Sequence, residues 1–89
     1  LSAASIIGRG NAYEGLGENK KAARAYLNSF SLYEDSPVAP EALTLLGNAL
    51  VNLGQTDAGC QTLAQVLMRF PGSDYSLEAE KMMSELQCP

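Results

Sequence analysis

The chain predicts an all-α fold, with antiparallel helical hairpins stacked as a short α-solenoid, and three observations point to it. Residues 10–42 overlay residues 47–79 at a constant offset of 37 with no gap. Eight of those 33 pairs are identical, where unrelated sequence gives roughly two at average residue usage. Apolar residues recur at helical spacing throughout, and no segment alternates with period two or places a hairpin turn between β-branched runs. A unit of this size cannot bury its apolar face alone, so a period of this length indicates copies stacked on one another.

The spacing predicts five helices. The first covers about residues 1–16 through Ile6, Ile7, Tyr13 and Leu16, with Gly17 as its stop. The second runs from about Asn19 through Ala22, Ala23, Tyr26, Leu27 and Phe30 to Tyr33. The third opens with Ser36 as N-cap and Pro37 in the first helical position, where a missing N–H costs nothing, with Pro40 still in the first turn. It continues through Leu43, Leu46, Ala49, Leu50 and Leu53 to Gly54. The fourth covers about Thr56–Phe70 and ends at Pro71-Gly72, and Ser73 caps the fifth, about 74–87. One domain, 1–89, then divides into a first repeat of about 3–36, a second of about 37–73 and a terminal capping helix of about 74–87.

Composition narrows the function. A net charge of −4 with six basic residues argues against a nucleic-acid phosphate footprint and against an anionic membrane surface. No stretch is apolar for long enough to span a bilayer, so no membrane insertion is expected. The chain has no His, hence neither the commonest general base nor the commonest transition-metal ligand. It also lacks a paired-carboxylate or nucleophile constellation and a glycine-rich phosphate loop. Lys81 and Glu85 at i, i+4 read as a surface ion pair. The expectation is a protein-binding module with no catalytic residues, no cofactor and no metal. Self-association is the remaining alternative.

The repeat resembles the tetratricopeptide repeat. The second unit carries that pattern as Leu43, Leu46-Gly47, Leu50, Gly54, Gly59, Leu63 and Pro71, and the first as Ile6, Gly10, Tyr13, Gly17, Ala22, Tyr26 and Phe30. Small residues at 10, 22, 47 and 59 let paired helices approach closely while larger ones fill the space alongside. Arg9 stands where Leu is usual and Glu34 where Pro is usual, which makes the first unit the weaker match. The period exceeds the common 34 residues, and the surplus lies in the connection from Tyr33 to Ala42. Its Asp35-Ser36-Pro37-x-Ala39-Pro40-x-Ala42 run, followed by Leu43-x-x-Leu46-Gly47, resembles long-repeat periplasmic proteins of Gram-negative bacteria. Within that group the chain is most similar to the C-terminal domain of the YbgF/CpoB family, through the segment from Leu53 to Pro71 with its Cys60 and through the final Cys88. The resemblance implies a periplasmic Tol–Pal-associated protein that coordinates outer-membrane constriction with septal peptidoglycan synthesis. It implies TolA and a bifunctional penicillin-binding protein as partners, and oligomerisation through an N-terminal coiled coil. The chain enters mid-pattern at Leu1, so a longer parent protein is expected. A scaffold of outer-membrane protein assembly, or another periplasmic peptide-binding adaptor, is the alternative.

Adjacent helices in such a stack run antiparallel, which brings Cys60, early in the fourth helix, near Cys88, at the end of the fifth. A disulfide closing that loop stabilises by roughly 3.6 kcal/mol in the chain-entropy model, and implies an oxidising compartment. The alternative is two unpaired small hydrophobes. Two cysteines without His or a tight Cys-x-x-Cys do not suit zinc or redox catalysis.

In tetratricopeptide arrays the first helix of each hairpin lines a concave groove. The resemblance carries those positions onto Ala4, Ile7, Asn11, Glu14 and Gly15, then Glu41, Thr44, Asn48, Val51 and Asn52, then Glu78, Lys81 and Glu85. Asn11 and Asn48 share a register, and an amide offers both donor and acceptor to an extended peptide backbone; a solvated helix face without a ligand is the other reading. Ile7 and Thr44 occupy positions where a carboxylate clamp uses Lys, so a neutral or basic segment is favoured. Lys20, Lys21 and Arg24 form the only basic cluster and read as a solvated helix start before a ligand site. Met82, Met83 and Leu86 read as the last core layer, with partner docking as the alternative.

Overall fold

Five helices follow one another in the computed structural model, which describes residues 1–89: α1 (Ala3–Gly15), α2 (Asn19–Leu32), α3 (Ala39–Asn52), α4 (Thr56–Arg69) and α5 (Asp74–Leu86). Each packs on the next, and α3 also meets α1 and α5. The odd helices therefore form an inner layer and α2 and α4 an outer one, the stack of hairpins that the repeat predicts. The offset of 37 maps α2 onto α4 end to end. Turn geometry repeats as well. Gly17 and Gly54 take left-handed φ of 78° and 82°, a conformation that costs a residue with a Cβ. The next N–H, of Glu18 and of Gln55, donates back to Tyr13 and Leu50 carbonyls, each at 2.9 Å.

One boundary differs from the expectation. α3 begins at Ala39, not at Pro37, and its N-cap is Val38. Ser36 instead opens a separate turn: its Oγ accepts from Val38 N–H at 3.2 Å and its carbonyl from Ala39 N–H at 3.0 Å. The first α-helical bond is Ala42 N–H to Val38 carbonyl. Pro40 is the proline in the first helical turn. With two prolines close together, only the later one falls where the orphan N–H positions of a helix lie.

The core runs between the layers as Ile7, Ala22, Ala23, Tyr26, Phe30, Ala39, Ala42, Leu43, Leu46, Ala49, Leu63, Val66 and Ala79. Its spacing is set by glycines. A Cβ at Gly10 would stand 2.5 Å from Tyr26 Cε1, and one at Gly47 2.8 Å from Leu63 Cδ2. Gly59 is tighter still, because its Cβ would meet Val51 Cγ2 at 2.5 Å and the Gly47 carbonyl oxygen at 2.9 Å. The connections are tied across the layers too: Ser29 Oγ donates to the Ala3 carbonyl at 2.9 Å, and Phe30 and Phe70 meet edge to face with centroids 6.3 Å apart.

α5 follows the same register but closes the stack. Where α3 carries Leu43, Gly47 and Leu50, with Gly47 against Leu63 of α4, α5 carries Glu80, Ser84 and Gln87, all exposed. It ends a turn early in the same left-handed motif, with Gln87 at φ 56° and Cys88 N–H donating to the Met83 carbonyl. Cys88 is bonded there to Cys60, with Cα atoms 5.6 Å apart.

Three variants probe these contacts. Gly59→Ala, which forces backbone as well as side chain to move, lowers unfolding free energy by about 2–3 kcal/mol. Gly8→Ala, with nothing within 4 Å of the added methyl, raises it by roughly 0.5–1 kcal/mol. Urea titration followed by circular dichroism reads both. Replacing Cys60 and Cys88 together by Ser removes up to about 3.6 kcal/mol. Its hydrogen-exchange signature is loss of protection in α5 with α2 and α3 unchanged.

Candidate functional site

Of the residues that the repeat pattern marks as a groove, three meet in one cleft. Asn48 and Val51 of α3 and Glu85 of α5 come together with Met82 and Leu86 around a half-open cleft of about 180 Å³. Met82 and Leu86 pack on the core from beneath, so they serve as the last core layer and as cleft lining at once. Asn48 makes no side-chain hydrogen bond within the chain and is half-buried, which leaves its donor and acceptor open at the cleft. An apolar pocket with one free amide and one carboxylate suits an apolar side chain beside a cationic or backbone N–H group.

Asn11 shares the register of Asn48 but not its state. The Tyr26 hydroxyl reaches Asn11 Oδ1 at 2.7 Å and Glu14 Oε1 at 3.2 Å, one proton facing two acceptors. Tyr26 is fully buried, its ring against Gly10 and its hydroxyl beneath Asn11 and Glu14 of α1. Burial first, then the neighbouring Glu14 carboxylate and the charge of Glu41, pushes the Tyr26 hydroxyl well above the usual tyrosine range. Tyr75 is raised in the same direction, by burial and then by Glu41, with Glu78 and Asp74 adding to it. Glu41 therefore acts on both tyrosines, and the inner face carries a negative field from Glu14, Glu41 and Glu78.

Two expected groove residues are not available to a ligand. Ile7 is 4% exposed and belongs to the core, and Thr44 is 2% exposed with its Oγ1 donating to the Pro40 carbonyl at 2.8 Å. They are equivalent positions, one turn before Gly10 and Gly47, the glycines on which the outer helices pack. Ala4, Gly15, Asn52, Glu78, Lys81 and Glu85 are exposed, while Glu14 and Glu41 are half-buried. Lys81 has no carboxylate partner within salt-bridge distance; the two ion pairs are Lys21–Glu18 at 3.2 Å and Arg69–Glu34 at 3.4 Å. No group of three His, Cys, Asp or Glu side chains is arranged to hold a metal, and no helix is long and apolar enough to cross a membrane. Tyr26 and Tyr75 are the functional-face residues that helix periodicity hides, because it reads a Tyr as core and ignores its hydroxyl. The one sequence signal is that Tyr26 stands where the second hairpin has Leu63.

A family model of the tetratricopeptide repeat matches residues 41–73. That stretch, from α3 through α4 to the turn before α5, is a tetratricopeptide repeat, a unit that in general holds protein partners. No curated protein matches the chain significantly.

The raised tyrosines fix an alkaline signature. A phenol whose folded pKa lies above its unfolded value of 10.0 binds more protons in the native state above that pH. Its contribution is thus complete below pH 10 and is lost as pH rises beyond it. Stability falls more steeply above about pH 10 in the wild type than in Tyr26→Phe, measured by urea titration at successive pH values.

Proposed function

We propose that the chain is a protein-binding module that clamps an extended, neutral or basic segment along its inner face. The observation that carries the reading is the α3–α5 cleft, with the free amide of Asn48 beside Val51 and the carboxylate of Glu85; Glu14 and Glu41 add negative charge around Tyr26. An acidic face steers a cationic partner and repels an acidic one. The tetratricopeptide repeat at 41–73 supports the general class.

The finer assignment rests on resemblance. The long Ser-Pro-x-Ala-Pro connection, the Cys60-bearing helix and the terminal Cys88 favour a periplasmic, Tol–Pal-associated protein of the YbgF/CpoB kind, acting where outer-membrane constriction meets septal peptidoglycan synthesis. TolA and a bifunctional penicillin-binding protein are the partners to test first. The Cys60–Cys88 disulfide supports an oxidising compartment.

Fluorescence anisotropy with a labelled TolA segment tests both levels. Asn48→Ala combined with Glu85→Gln weakens binding by about tenfold if the segment lies on this face. Unchanged affinity moves the site off the inner face, whereas failure of the wild type to bind any TolA segment rejects the Tol–Pal assignment.

A further inference from the structure

The outer side of the first hairpin carries a cleft of the opposite sign. Ile6, Arg9 and Tyr13 of α1 face Lys21, Arg24 and Ala25 of α2 around a half-open volume of about 250 Å³, and no carboxylate lines it. Ile6 and Ala25 are buried at 5% and 6% exposure and form an apolar floor. Above them stand three of the six basic side chains of a chain whose net charge is −4. Lys21 is partly committed, to Glu18 at 3.2 Å and to the Tyr13 ring at 5.7 Å. Arg9 and Arg24 are exposed and pair with no carboxylate.

The repeat gives this cleft a precedent inside the molecule. The position equivalent to Arg9 is Leu46, which is 8% exposed on α3, the helix against which α2 packs. Ile6 and Tyr13 correspond to Leu43 and Leu50, and Lys21 and Arg24 to Ala58 and Gln61. At this register the second hairpin thus has a buried leucine on the helix that α2 packs against, while the first hairpin has an exposed arginine. A surface shaped by the repeat to take a helix, but ringed by unpaired guanidinium groups, matches a helix of complementary charge. Guanidinium pairs with carboxylate in a planar, two-point geometry that an amphipathic helix presents at its flanks.

We propose that this cleft is a second binding site, for an acidic amphipathic helix of a partner protein, which packs along α1 as α2 packs along α3. It is independent of the inner face, so either site stands if the other fails.

The probe is a labelled helical peptide with a Leu/Ala stripe flanked by glutamates, tested against its all-glutamine counterpart and against pure phosphatidylglycerol vesicles. The glutamate peptide binds, and either Arg9→Glu with Arg24→Glu or the glutamine peptide weakens binding by about tenfold. Amide shift changes fall on residues 6, 9, 13, 24 and 25. Because both arginines are exposed, circular dichroism is unchanged in the double variant; Arg9→Gln with Arg24→Gln gives a smaller loss in the same direction and serves if charge reversal disturbs folding. Equal binding of the glutamine peptide, wild-type affinity in the arginine variants, shifts confined to Asn48 and Glu85, or no binding by the glutamate peptide each overturn the proposal. Vesicle binding that the arginine variants abolish, without peptide binding, assigns the cleft to a membrane surface instead.

Discussion

The stack depends on one contact made twice: a large side chain of each outer helix lies directly on a glycine of the inner helix before it. Tyr26 on Gly10 and Leu63 on Gly47 hold paired helices at a separation that no Cβ permits. That approach brings α2 and α4 close enough to fill the core with alanines on the facing helices, at 22, 23, 39, 42 and 49. Dense packing of small side chains leaves little room for repacking, so the contact also fixes the rotation of each inner helix. Which residues face the groove and which face the next helix follows from that rotation.

The same contact joins the core to the binding face. Leu63 ends inside the core, but Tyr26, on an equivalent glycine, extends one hydroxyl farther and meets Asn11 and Glu14. One exchange at a core position therefore separates two asparagines that share a register. Asn11 accepts from a hydroxyl anchored in the interior, while Asn48 keeps its amide free beside Met82 and Leu86. The first hairpin contributes charge and rigidity to the inner face, and the second contributes the open cleft.

The helices and their stops were legible because each depends on local residues: Gly17 and Gly54 for the left-handed turns, and the offset of 37 for the equivalence of α2 and α4. The antiparallel order placed Cys60 and Cys88 within reach, and the structure decides between a bond and two free thiols in favour of the bond. Ile7 and Thr44 were not legible, because their burial depends on how the helices pack together and not on either helix's own sequence. The start of α3 was obscured by two prolines that suit a first turn equally well. The basic cleft was half legible: Lys21 and Arg24 stand together in sequence, but Arg9 joins them only across the hairpin.

The first and last helices present different surfaces, and the difference bears on what each can do. At α5 the surface that would take another outer helix is polar, and only Ser76 and Ala79 of that helix are fully buried. Burying a single large apolar side chain contributes about 1.5–3 kcal/mol, so the disulfide, at about 3.6 kcal/mol, outweighs any one contact that α5 makes. At that end a covalent bond holds the last helix. At α1 the corresponding surface keeps the apolar floor of Ile6 and Ala25 but rims it with Arg9, Lys21 and Arg24. Cations there cost the fold little, since their heads remain in water, yet they disfavour any helix lacking carboxylates to meet them. The net charge of −4 averages this away: an acidic inner face and a basic outer cleft lie on opposite sides of α1, and charge alone sorts the segments each can receive.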